Sequence, residues 1–184
     1  MREPIDTLTA RFLPEIVALR HDLHAHPELS GAEERTARVV SEALTRHGIP
    51  HVSGVGGKHG IVATLDGGAG DGPTIALRGD RDALPIREEN DVAYRSTVDG
   101  VMHACGHDGH TANLFGAGLV LNALRDRWKG RVRLLFQPAE ETVSGAESVI
   151  AGGGLDGVDR IVMLHGWPDL PAGDVGVRYG PAMA

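Results

Sequence analysis

The chain has 184 residues, 41% of them apolar and 23% charged, and its 25 acidic against 18 basic side chains give a formal charge of -7. This composition is too apolar for a disordered polymer, and its acidity argues against nucleic acid or an anionic membrane as partner, since both select basic surfaces. One cysteine excludes an internal disulfide framework, the first six residues lack the apolar stretch of a secretory signal, and no run reaches the ~20 apolar residues of a membrane helix, so a cytoplasmic protein is expected.

Ile16, Leu19 and Leu23 recur at helical spacing within a segment from about Ile5 to Ala25, and Pro27 ends it. Ser30-Gly31-Ala32-Glu33 then has the spacing of a capping box ahead of a second helix, with Ala37, Val40, Ala43 and Leu44 on its buried stripe. Short β-rich runs follow at Gly60–Leu65 and Thr74–Leu77, separated by a turn at Asp66-Gly67-Gly68. A polar loop from about Arg81 to Met102 is too long for a simple connector. Thr111–Arg125 reads as a helix, Val132–Phe136 as a strand, Gly145–Ala151 as a short helix and Ile161–Leu164 as a strand. Aromatic residues make up only 4%, so the core is expected to be aliphatic.

Strands alternating with helices predict an α/β fold with a mostly parallel central sheet flanked by helices. In such sheets ligands bind beyond the carboxyl ends of the strands. Asp80 and Asp82 follow the strand ending near Leu77, Glu140 and Glu141 the one ending near Gln137, and His165 the one ending at Leu164. Three strand ends are thus expected to carry metal-compatible side chains to one edge.

The densest chemistry is His103-Ala104-Cys105-Gly106-His107-Asp108-Gly109-His110, three imidazoles, a carboxylate and the lone thiol in eight positions. A solitary cysteine is more often a buried structural residue. Here Cys105 and His107 stand in a glycine-punctuated loop before a helix whose N-terminus favours a thiolate, and both suit manganese, zinc, cobalt or nickel. Glu140-Glu141 reads either as a solvated acidic turn or as a pair that divides labour. In the second case one ligates a cation while the other takes a proton from the attacking water and hands it to the leaving nitrogen. His165 alone is more often hydrogen-bonded than ligating, and Asp80 and Asp82 either orient histidines or cap the long loop. His21, His24 and His26 lack a framing carboxylate and read as structural. No Gly-x-Ser-x-Gly elbow, phosphate-binding glycine loop, dinucleotide fingerprint or zinc-deaminase signature is present.

Together the motifs resemble the metal-dependent amidohydrolases that cleave N-acyl amino acids, such as hippurate hydrolase, bacterial aminoacylase and the plant auxin-conjugate hydrolases, of the co-catalytic dimetal peptidase superfamily. The matching segments are Arg20 to Leu29, Ala76 to Ile86, Met102 to Thr111, Phe136 to Glu141 and Gly180 to Ala184. The resemblance implies two divalent metal ions held by Cys105, His107, Glu141 and His165, with Glu140 as general base and acid. It gives Asp82 as a candidate for orienting a ligand, and a small N-acyl amino acid as substrate. Family members are about twice this length and insert a lid and dimerisation domain, through which they homo-oligomerise, before returning to complete the catalytic sheet. Residues 1–178 are therefore expected to be the N-terminal part of the catalytic domain and 179–184 the start of the lid, the chain being truncated before the rest. Two alternatives stay open: a catalytically incomplete metal-binding fragment or half of a split hydrolase, completed by a C-terminal half, and a peptidase of dipeptides or a succinyl-amino-acid deacylase.

Overall fold

The computed structural model describes residues 2–57 and 59–177. The motif at Gly180–Ala184 and the boundary expected at 179 lie outside these residues. In chain order the elements are helix α1 (Arg2–Ala25), helix α2 (Glu34–Arg46), strands β1 (His51–Val55), β2 (Gly60–Asp66) and β3 (Thr74–Asp80), helix α3 (His107–Ala123), strand β4 (Arg131–Gln137), helix α4 (Gly145–Ala151) and strand β5 (Arg160–Met163). No helix among the described residues is long and apolar enough to cross a membrane.

The five strands form one sheet in the order β1-β2-β4-β3-β5. It is mixed: β4, β3 and β5 run parallel, whereas β1–β2 and β2–β4 are antiparallel. β1, which the sequence reading did not recognise, adds one antiparallel pair; the other is made by β2 and β4, so only β4, β3 and β5 form the parallel part that was expected. A short turn joins β1 to β2, and strands joined that closely can only pair antiparallel. The parallel side needs crossovers, and α3 and α4 supply them. Asp80 is level with Gln137, and Arg78 with Met163, so β3, β4 and β5 end at the same edge.

One face of the sheet carries the core. Ile61, Ala63 and Leu65 of β2 and Val132, Leu134 and Phe136 of β4 pack against Leu19 and Leu23 of α1, Val40, Ala43 and Leu44 of α2, and Leu114, Phe115 and Leu119 of α3. Apart from Phe115 and Phe136 this core is aliphatic, as the composition required. Each Val, Leu, Ile or Phe among them contributes about 1.5–3 kcal/mol on burial. The opposite face is covered only in part, by α4 through Val149. At the sheet edge, Ile161, Val162 and Met163 of β5 stay about half exposed, at 50%, 49% and 55%.

The start of α2 differs from expectation. Ser30 and Glu33 do not cap it, and the bonds are made instead by Glu28, whose two carboxylate oxygens accept the N–H groups of Arg35 and Thr36 at 2.9 and 2.7 Å. A carboxylate there also complements the positive end of the helix.

Residues 81–106, the long loop, are tied to α1. The His24 ring nitrogens face Asp108 Oδ2 at 2.8 Å and Glu88 Oε1 at 3.0 Å, His21 stacks on Tyr94, and Thr97 donates to the Ala25 carbonyl. His21 and His24 of α1 thus brace the loop and the start of α3, and Asp108 and Glu88 supply His24 with the framing carboxylates that the sequence reading found lacking. Burial opposes ionisation of Glu88, but the Ser96 N–H, His24 and Asn90 outweigh it and hold the carboxyl down to about 2. A depressed carboxyl stabilises the fold above its unfolded pKa of about 4.3 and loses that contribution as pH falls. We expect Glu88→Gln to lose about 1–3 kcal/mol at neutral pH in chemical denaturation. The gap to wild type should narrow from about pH 4.5 to about pH 2; a constant gap would show that the Glu88 charge is not the cause.

Candidate metal centre

The helix α3 begins at His107, and the residue before it, Gly106, has φ 86°, a left-handed conformation that side chains resist. The Gly106 carbonyl accepts the N–H groups of Gly109 and His110, which starts the helix and leaves Cys105 just outside it. Thr111 Oγ1 donates to the Asp80 carbonyl at 2.7 Å and fastens α3 to the end of β3.

Beyond β4 the chain turns sharply. Ala139 and Val143 have φ of 51° and 57°, conformations that cost non-glycine residues about 1–2 kcal/mol each. Gly145 backs onto the Pro138 carbonyl so closely that a Cβ would lie 1.5 Å from its oxygen. This tight turn presents Glu140 and Glu141. His165 stands two residues past β5, as Asp80 stands two past Arg78 in the neighbouring strand.

These groups share one crevice. His107 Nδ1 lies 3.2 Å from Asp82 Oδ1, so the proton sits on Nδ1 and the Nε2 lone pair faces the crevice. Around Nε2 stand Asp80 Oδ2 at 3.6 Å and Glu140 Oε2 and Glu141 Oε1 at 3.8 Å each. Cys105 Sγ lies 3.4 Å from His165 Nε2, close to the ~3.5 Å between a sulfur and a nitrogen on one tetrahedral ion. Cys105–His107–His165, His107–Glu140–Glu141 and Asp80–His107–His110 each bring their ligand atoms within 4.8 Å of one another, and His107 is common to all.

The arrangement fits a cation. His107 Nε2 and Glu141 Oε1 are buried and have no hydrogen-bond partner. Two desolvated lone pairs 3.8 Å apart are costly unless a positive charge lies between them. The electrostatics agree. Burial opposes ionisation of Asp82, yet His107, Ser30 and the backbone of Glu141 and Glu140 hold it far below the carboxylate range. Burial also opposes the protonated form of His107, but Asp82, Asp80 and Glu141 together raise its pKa.

The expectation of a thiolate at the helix N-terminus needs a correction. Burial, then Glu141, Asp80 and Glu140, push the Cys105 thiol up to about 11. The carboxylates outweigh the helix dipole, and only a cation in the crevice would reverse the balance.

Asp80 orients a histidine, one of the two roles the sequence allowed it, and that histidine is His110, which had no role of its own in the sequence reading. Asp80 Oδ1 accepts the His110 Nδ1 proton at 2.6 Å, and His110 Nε2 accepts the Gly166 N–H at 2.8 Å. Both ring nitrogens are therefore engaged, so His110 supports the His165 segment although its atoms converge with His107 and Asp80. The i,i+3 spacing from His107 to His110 was the available signal, because it sets both rings on one helical face. His103 belongs to none of the three groups; burial lowers its pKa to about 4 and keeps the ring neutral. Behind the crevice Arg81 is fully buried and donates to the His59 carbonyl. Burial lowers its guanidinium to about 10 against the opposing pull of Glu33, Glu28 and Asp82.

Similar proteins share this framework. The chain is 46% identical over 173 residues to an N-acetylcysteine deacetylase of Bacillus subtilis, a match covering 94% of the chain and 45% of that relative. It is 45% identical over 184 residues to an N-acyl-L-amino acid amidohydrolase of Geobacillus stearothermophilus, covering 100% and 49%. The crystal structure of Bacillus subtilis YXEP protein, a dinuclear metal binding peptidase from the M20 family, superposes with a TM-score of 0.88 at 44% identity, covering 96% of this chain and 48% of that one. The chain thus spans about half the length of the relatives it matches. With residues 76–180 matching the model of peptidase family M20/M25/M40, the chain belongs to that family.

Proposed function

We propose that the protein built on this chain hydrolyses the amide bond of N-acyl amino acids, giving a carboxylate and a free amino acid. The observation that carries this reading is the pair of buried, unpartnered atoms, His107 Nε2 and Glu141 Oε1, facing each other in a crevice rich in carboxylates. The names of the deacetylase and amidohydrolase relatives favour an acyl-amino-acid substrate over a dipeptide.

In this reading Cys105, His107, Glu141 and His165 hold two divalent ions, with manganese, zinc, cobalt and nickel all compatible with the mixed sulfur, nitrogen and oxygen donors. Such ions, when bound, polarise the amide carbonyl and acidify water. Asp82 keeps the Nδ1 proton on His107, so that Nε2 stays a lone-pair donor. Glu140 differs from its neighbour in exposure: its side chain is 39% accessible against 23% for Glu141. It reaches the crevice while touching solvent, which suits a base that takes a proton from the attacking water at one carboxylate oxygen. The same carboxyl then protonates the departing nitrogen, so water adds across the C–N bond and the acid returns to its starting form.

A second reading rests on β5. Ile161, Val162, Met163, Leu164 and Trp167 are about half exposed on a sheet edge, an arrangement that invites another polypeptide segment. We infer that a segment equivalent to the second half of its relatives covers this edge, and that this chain alone binds metal without efficient turnover.

Three measurements test these readings. Glu140→Gln in the active assembly should lower kcat by about 10²–10⁴-fold on N-acetyl amino acids while metal binding persists; undiminished turnover would remove Glu140 from the reaction. Adding manganese or cobalt to the metal-free chain at about a hundredfold excess over Kd should raise its unfolding free energy by about 2.7 kcal/mol, and chelation should reverse the gain. Cobalt should also give a thiolate charge-transfer band that Cys105→Ser abolishes; an unchanged spectrum would exclude sulfur ligation.

A further inference from the structure

The Ser30-Gly31-Ala32-Glu33 turn is spent on the crevice, although its spacing suits a helix cap. Glu33 immediately precedes α2 and is fully buried, at 0% exposure, yet its side chain makes no bond to that helix. Its Oε1 instead accepts the N–H of Ala139 at 2.6 Å, across 106 positions of sequence. Ala139 is the residue with left-handed φ directly before Glu140. Ser30 Oγ donates to Asp82 Oδ2 at 2.6 Å, and that same oxygen accepts the Glu141 N–H at 2.9 Å. Two N–H groups of the acidic turn, on either side of Glu140, are thus anchored through residues of one short segment. That segment is itself fixed to the site, because the Ala83 N–H donates to the Glu28 carbonyl beside it.

We propose that Glu33, assisted by Ser30, is a positioning residue that sets the Glu140–Glu141 turn in the geometry required for metal binding. This rests on the metal reading given above. Burying a carboxylate is costly, and a short neutral cap such as Ser or Asn would serve the helix without that cost. Glu28 already does so. A long, buried, ionisable side chain at position 33 is explained by the reach to Ala139, with the buried Arg81 supplying the opposing charge. Without the bond from Ala139 to Glu33 the left-handed residue loses the restraint on its N–H, although its carbonyl still accepts the Gly145 N–H, and Glu141 Oε1 drifts from its 3.8 Å spacing to His107 Nε2. Groups that orient metal ligands from behind typically govern 10–100-fold in affinity.

The test is a cobalt titration of the chain, followed by calorimetry and by visible absorption, for wild type, Glu33→Gln, Glu33→Met and Ser30→Ala, with Tm measured for each. Gln keeps an acceptor for the Ala139 N–H but removes the charge facing Arg81, so Glu33→Gln should lower Tm and keep cobalt affinity within about threefold. Glu33→Met removes the acceptor too and should lose about tenfold or more in affinity, and Ser30→Ala a smaller, several-fold amount. Cobalt affinity unchanged in Glu33→Met overturns the proposal, as does an affinity loss that simply tracks Tm across Gln and Met. Should Glu33→Met fail to fold by circular dichroism, Ser30→Ala decides: wild-type affinity there overturns it. A wild-type chain that takes up no cobalt rejects the metal reading first, and this inference with it.

Discussion

The carboxylate of Asp82 joins three distant segments at one point. It faces His107 Nδ1 at the start of α3, accepts the hydroxyl of Ser30 from the turn before α2, and accepts the N–H of Glu141 beyond β4. A single ionised group beyond the ends of the parallel strands thereby sets a histidine tautomer, braces an acidic turn and locates the segment that supports it. Asp80, two residues earlier, does the corresponding work for His165 through His110 and Gly166. The pair Asp80 and Asp82 is therefore the scaffold on which the more conspicuous Cys105, His107 and Glu141 are arranged.

Acidic groups outnumber the cations that offset them in the crevice, where Arg78 pairs with Asp80 at 2.6 Å. Four carboxylates, Asp80, Asp82, Glu140 and Glu141, approach His107 or its bonded partners within hydrogen-bonding or ion-pair range. Burial makes that excess costly, and the elevated Cys105 thiol is one symptom of it. Such a site favours cations of borderline softness, which satisfy sulfur, nitrogen and oxygen together. The turn that presents the acids is also conformationally expensive, with left-handed Ala139 and Val143. Strain of this kind persists where surrounding structure over-determines it, and here Glu33 and Asp82 add to the bonds inside the turn, from the Gly145 N–H to the Ala139 carbonyl and from the Val143 N–H to the Glu140 carbonyl.

Legibility in the sequence varied with the origin of each feature. Strand β4 and helices α2 and α3 were readable because apolar periodicity or an apolar run recorded their burial directly. Strand β1 was not, since His51-Val52-Ser53-Gly54-Val55 is polar, glycine-containing and mostly exposed, and its place is set by hydrogen bonding to β2. The groups that converge at the sheet edge were visible from strand ends alone, because parallel register makes those ends meet. Local spacing misled at Ser30 and Glu33: the pattern of a capping box was present, but Asp82 and Ala139 compete for the same side chains and win. The helix N-terminus alone does not make Cys105 a thiolate for a related reason: it is a local feature, and the carboxylates that raise the thiol arrive from elsewhere in the chain.

His107, Asp82 and Glu33 are buried, whereas His165 is exposed and follows the strand with the thinnest packing. Its place depends on the bond from its Nδ1 to the Gly166 carbonyl, on the Gly166 N–H bond to His110 and on proximity to Cys105. An ion bridging Cys105 and His165 would clamp the sheet margin, and a polypeptide laid along that margin would preorganise the ion's last donor. Uptake of the ion and closure of the margin are thus reciprocally coupled, each lowering the free energy required for the other.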